Sequence, residues 1–225
     1  AGGLEDLMES LPEGLNDLLG ASAGITSPVG YLNSQFYSNV FPILLMVLGV
    51  GLAGWTIAGA EKDGTLEPLL ANPVARSRVA LGRYVGLVIV LGVVTAVSTA
   101  VLIVFRDPFQ LTELDVDNLV AVGVASFLLA LLFASVTYAV GAATGRKGLA
   151  VAVGAGLAAA TYVLFGLAAF VDVFDSVRWI SPWSWFLDPS PLVEGWTWSS
   201  IGLPLLVIAP AVILGTAWFT RRDLR

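Results

Sequence analysis

Residues 119–143, LVAVGVASFLLALLFASVTYAVGAA, run for 25 positions without an Asp, Glu, Lys or Arg. Crossing the hydrocarbon of a bilayer takes about 20 mostly apolar residues in a helix. Four more uncharged stretches of comparable length flank this one, at 40–60, 84–105, 149–171 and 201–219. Lipid offers backbone N–H and C=O groups no partner, so each stretch must close its hydrogen bonds on itself, and a helix is the form that does so. The predicted fold is all-α: a polytopic transmembrane helix bundle with five visible spans, preceded by an external segment at 1–39. Small residues recur within the spans, as in Gly49, Gly51 and Gly54 or Gly154, Gly156 and Ala158. They let helix backbones approach closely where packing drives association, which implies a bundle rather than separate anchors.

The composition agrees. Of 225 residues, 57% are hydrophobic and 12% charged, against about 25% charged in an ordinary soluble domain. The net charge of -6 gives phosphates no broad cationic surface, so no nucleic-acid partner is expected. The chain has no Cys and no His, which removes thiol nucleophiles, imidazole bases and nearly every zinc site. An intramembrane enzyme would have little to work with. An ion-coupled carrier would place ionisable groups inside its spans, and these spans hold none.

Basic residues set the predicted orientation. Lys62, Arg76, Arg78 and Arg83 lie between the first and second spans, Arg146 and Lys147 between the third and fourth, and Arg221, Arg222 and Arg225 after the fifth. Lys and Arg gather on the cytoplasmic side, so the amino terminus is expected outside and the carboxyl terminus inside a plasma membrane crossed several times. Thirteen of the seventeen acidic residues then fall in external segments. An external amino terminus on a chain beginning Ala1-Gly2-Gly3 predicts an earlier translocating segment, a cleaved signal or a first transmembrane helix.

Ahead of the first span, Leu4, Leu7, Met8, Leu11, Leu15, Leu18 and Leu19 repeat at helical spacing, with Ser10 and Glu13 as a capping pattern around Pro12. Two short amphipathic helices on the outer surface are expected. The outer loop at 172–200 carries Trp179, Trp183, Trp185, Trp196 and Trp198, residue types that favour the membrane interface; an anchor and an external gate both fit.

The loop at 61–83 has the most specific content. Asp63-Gly64 signals a turn, Thr65 suits a helix N-cap, Pro68 falls in a first turn and Pro73 disfavours helix at Asn72. One short helix fits between Leu66 and Ala71, with Leu66, Leu69 and Leu70 predicted on a single face. So short a helix is marginal alone and needs a partner surface.

The run E-K-D-G-T-L-E-P-L-L-A-N-P-V-A-R resembles the signature of ABC-2 type permeases, the membrane subunits of ATP-binding-cassette exporters. Glu61, Gly64, Thr65, Glu67, Leu69, Leu70, Pro73, Val74 and Arg76 match its acidic, G-T, acidic, L-L and P-V-x-R pattern. Pro68 departs from it. The stretches at 11–20 and 27–32 and Ile180-Ser181-Pro182-Trp183 are weaker likenesses. The resemblance implies a coupling helix whose surroundings, Glu61, Gly64, Thr65, Leu66, Glu67, Leu69, Leu70, Pro73 and Arg76, bind a separate ABC ATPase subunit. It also implies six spans, a second permease copy, and export by alternating access. ATP and magnesium would sit in the ATPase and no cofactor on this chain, which lacks a P-loop: 141–148 reads GAATGRKG. Thr95, Ser98, Thr99, Ser126, Ser135, Thr137, Tyr138, Thr161 and Tyr162 are expected to bond between helices rather than to ligand. The alternative is a structural or scaffold membrane protein without transport activity.

Overall fold

A computed structural model describes residues 32–70, 73–108, 114–168, 171, 174 and 176–222. Among them are eight α-helical elements, a 3-10 turn at Arg178–Ile180 and no strand: α1 (Asn33–Lys62), α2 (Leu66–Leu70), α3 (Arg76–Arg106), α4 (Val116–Thr144), α5 (Lys147–Ala168), α6 (Pro182–Leu187), α7 (Pro191–Glu194) and α8 (Trp198–Arg221). Five of these, α1, α3, α4, α5 and α8, are long and apolar enough to cross a membrane. The expected amphipathic helices before the first span lie outside the described residues.

The helices overrun most of the uncharged stretches, because charged residues at a span end are solvated while the backbone ladder continues. The largest extension is at the start of α3, and one nearly as long is at the start of α1. Asn33–Val40 forms a π-helical stretch continuous with the span, although it lies mostly in the segment expected to be external. Asn33, Ser34 and Ser38 are buried there, and the Asn39 amide donates to the Ser34 carbonyl at 3.2 Å while its oxygen accepts from the Tyr162 hydroxyl at 3.1 Å. Internal partners make such polar residues tolerable inside a bundle.

Helix α4 is the axle: 78% of its apolar window is buried, against 22% for α3 and for α5. It packs against α1, α3, α5 and α8. An Asp115 cap starts it, with the carboxylate accepting from Asp117 N at 3.0 Å, and Gly145 at φ 66° ends it. Close packing rests on small residues: a side chain at Gly54 would strike Val151, and one at Gly154 would strike Thr137. Gly51 and Gly156 face open space, so they do not mediate helix contacts.

Most hydroxyls of the spans do not bridge helices. Those of Thr95, Ser126, Thr137 and Thr161 donate to the carbonyl four residues earlier in their own helix, and Ser135 does so while also meeting a tyrosine across helices. A short side chain reaches that oxygen without needing a neighbour. True bridges come from tyrosines, whose reach is longer: Tyr84 with Ser135 at 2.7 Å, Tyr138 with Thr216 at 3.0 Å, and Tyr162 with Asn39.

At the end carrying α6 and α7, Trp183 is buried and its indole donates to the Ala158 carbonyl at 3.2 Å, so it belongs to the core rather than to an interfacial belt. Trp179 and Trp198, 70% and 76% exposed, remain available to an interface. Helix α2, the α4–α5 turn and the end of α8 meet at the opposite end.

Candidate functional site

Helix α2 exists because the chain leaving α1 is turned within three residues. Gly64 adopts φ 68°, which a side chain rarely accepts, and Thr65 donates from both its N–H and its hydroxyl to the Ala60 carbonyl, at 2.9 and 3.0 Å. That carbonyl, at the last turn of α1, is thereby satisfied. Leu66, directly after the turn, inserts into the core and is 1% exposed. Leu69 points away and is 40% exposed. The expectation of one common leucine face is therefore corrected: the helix lies against the end of the bundle, and its first residue is drawn inward while its fourth is left outside. The side chains of Glu67 and Leu70 lie outside the described residues. Lys62, Asp63, Pro68, Pro73 and Arg78 of the same loop are also exposed.

Glu61 is not on that outward surface. Its carboxylate, only 6% exposed, accepts two hydrogen bonds from Arg222, Nη1 to Oε1 at 3.0 Å and Nη2 to Oε2 at 2.5 Å. This is a bidentate, charge-assisted pair. Arg222 Nε also donates to the Ala142 carbonyl at 3.1 Å, in the last turn of α4, and Arg76 Nη1 donates to the Arg222 carbonyl at 2.7 Å. Gly145 sits beneath the pair: a Cβ there would be 2.5 Å from Arg222 Nη1 and 2.9 Å from Glu61 Oε2. The predicted site residues Glu61 and Arg76 are thus brought together through a residue that sequence reasoning had counted only as a topology signal. The signal that could have found it was Glu61 itself, a carboxylate at a span end that needs a cation.

A second cation supports the same region. At Trp55–Gly59 α1 is π-helical, and the Thr56 carbonyl accepts from Arg83 Nη1 at 2.9 Å. The Arg83 guanidinium also lies 5.7 Å from the centre of the Trp55 ring. It binds α3 to α1 just inside the loop. Among the described residues no three acidic, His or Cys side chains gather as a metal site would require.

A bundle of membrane-spanning helices, closed at one end by a short helix with an outward leucine, has the build of a multi-pass permease subunit. The comparisons with known proteins identify which one: residues 15–224 match the family described as ABC-2 family transporter protein, and the chain belongs to that family. A relative described as probable ABC transporter permease protein NosY, from Pseudomonas aeruginosa, is 28% identical over 168 residues, 69% of this chain. The match spans 59% of that relative's length. No solved structure matches.

Proposed function

We propose that this chain is the membrane subunit of an ABC-2 type exporter, with helix α2 seated in a cleft of a separate ATP-binding-cassette ATPase. Membership of the family supports the permease role. The observation that carries the coupling step is Leu69, an aliphatic side chain left 40% exposed on a five-residue helix whose first residue, Leu66, is buried in the bundle. An isolated turn of helix cannot hold itself, and docking into a groove is a recurrent use of such an element. The positive-inside bias puts this end in the cytoplasm, where ATP is. ATP and magnesium bind in the ATPase, closure of two ATPase copies pushes α2 of two permease copies, and the substrate leaves outward by alternating access.

The test is co-expression with the cognate ATPase in the same membrane. The wild-type permease is expected to co-purify with it and to change its turnover. Leu69→Asp is expected to abolish the association while leaving yield and helicity unaltered, since the side chain touches little of its own bundle. Association surviving Leu69→Asp refutes the docking assignment.

A further inference from the structure

The residue order of the loop end shows more than a docking helix. Arg222, the residue after the last span, reaches four other elements. Its guanidinium holds Glu61 at the end of α1 and the Ala142 carbonyl of α4, it lies over the α4–α5 turn at Gly145, and its own carbonyl holds Arg76 at the start of α3. Glu61 and Arg76 are the two ends of the loop that carries α2. A push on α2 therefore meets Arg222 on both sides.

We propose that Arg222 is a positioning residue for energy coupling. The Glu61–Arg222 pair is the joint that fixes the α1 end of the loop carrying α2 and passes the displacement of α2 to α3, α4, α5 and α8 together. Without it, α2 would be held by its links to α1 and α3 and by Leu66 alone, and its movement would be taken up by loop motion before reaching the central helix α4. The desolvated setting suits this role. The carboxylate and guanidinium are 6% and 15% exposed, so water and salt compete weakly for either partner and the geometry is held by two parallel bonds. Position 145 reinforces the joint, because only a residue without a side chain leaves room for the guanidinium.

This inference rests on the reading of α2 as the ATPase-docking helix, and the experiment separates the two. The chain contains no cysteine, so single reporters can be placed without background. In the permease alone, in nanodiscs, Leu66→Cys reports undocking of α2, because Leu66 is 1% exposed when docked. Ser184→Cys, 5% exposed at the opposite end, reports general loosening. Introducing Arg222→Gln is expected to speed maleimide labelling at position 66 by about tenfold or more, with position 184 unchanged. An unchanged rate at 66, or equal acceleration at both, overturns the proposal, the second outcome making the pair a fold staple only.

In the complex, Arg222→Gln is expected to keep the ATPase bound but to lose about nine-tenths of the permease-dependent change in turnover, with Arg222→Lys recovering part of it. Full coupling in Arg222→Gln overturns the proposal as well. If the wild-type permease binds no ATPase, the docking assignment fails, and the labelling rates still decide whether Arg222 holds α2.

Discussion

Gly145→Ala tests the loop-end cluster at the point where backbone and ion pair meet. Alanine at φ 66° pays about 1–2 kcal/mol for the left-handed conformation. Its methyl would also start 2.5 Å from Arg222 Nη1 and 2.9 Å from Glu61 Oε2. Non-bonded heavy atoms settle near about 3.5 Å, so the guanidinium must retreat by roughly 1 Å. From bonds of 3.0 and 2.5 Å, that retreat takes at least one out of range. A hydrogen bond to a charged group contributes about 1.5–3 kcal/mol, and the expected total cost is roughly 2.5–5 kcal/mol. Reversible unfolding in mixed detergent and SDS micelles, followed by tryptophan fluorescence, measures it. The decisive comparison uses a background with Glu61→Leu and Arg222→Leu, in which the methyl has no ion pair to displace. There, Gly145→Ala should cost only the backbone share, about 1–2 kcal/mol. Equal costs in the two backgrounds would show that Gly145 is a helix stop and nothing more, and the reasoning about close approach would fail.

Other substitutions read the rest of the bundle. Gly154→Val is expected to cost about 1–3 kcal/mol in the same unfolding assay, because the new side chain meets Thr137, whereas Gly156→Val, facing open space, stays within about 0.5 kcal/mol. Leu66→Ala should destabilise by about 2–5 kcal/mol as a core truncation, and Leu69→Ala by no more than about 0.5 kcal/mol, so that any loss of ATPase binding in the second is a surface effect. Tyr138→Phe removes the bond to Thr216 and should cost about 0.6 kcal/mol, with Thr216→Val adding little once Tyr138 is changed. Additive costs for that pair, measured as a double-mutant cycle, would mean that the two hydroxyls do not interact.

What the sequence made legible is what single-residue chemistry decides. Five helices follow from five uncharged stretches, since lipid leaves no alternative, and the short loop helix follows from Gly64 and the prolines around it. The missed features depend on distant partners. Asn33, Ser34 and Ser38 read as an aqueous approach to the first span, yet they are buried within α1, and no hydropathy window could register that neighbouring Asn39 finds a partner in Tyr162, far along the chain. The Thr137 hydroxyl, expected to cross between helices because isolated polar groups in lipid need partners, donates instead to a carbonyl one turn back on its own helix, while Ser135 does both, bonding to Leu131 and across to Tyr84. Leu66 and Leu69 share a face by spacing alone; only the position of α2 against the bundle decides that one is inside and the other outside.

The same reasoning explains why the clamp is needed at all. Helix α2 has five residues, too few for its own hydrogen bonds to offset the cost of nucleation, so its order must be supplied from outside. Leu66 supplies part by burial. Burial of one leucine is not directional, and the helix could roll about that contact. The ion pair fixes the end of α1 from which α2 departs, because two parallel bonds from a planar guanidinium set orientation as well as distance. On the proposed coupling role, a lever that transmits force needs that restraint and a free outer face together. Glu61 facing inward with Leu69 facing outward meets both requirements, and an arrangement with both residues on the outer surface would meet neither.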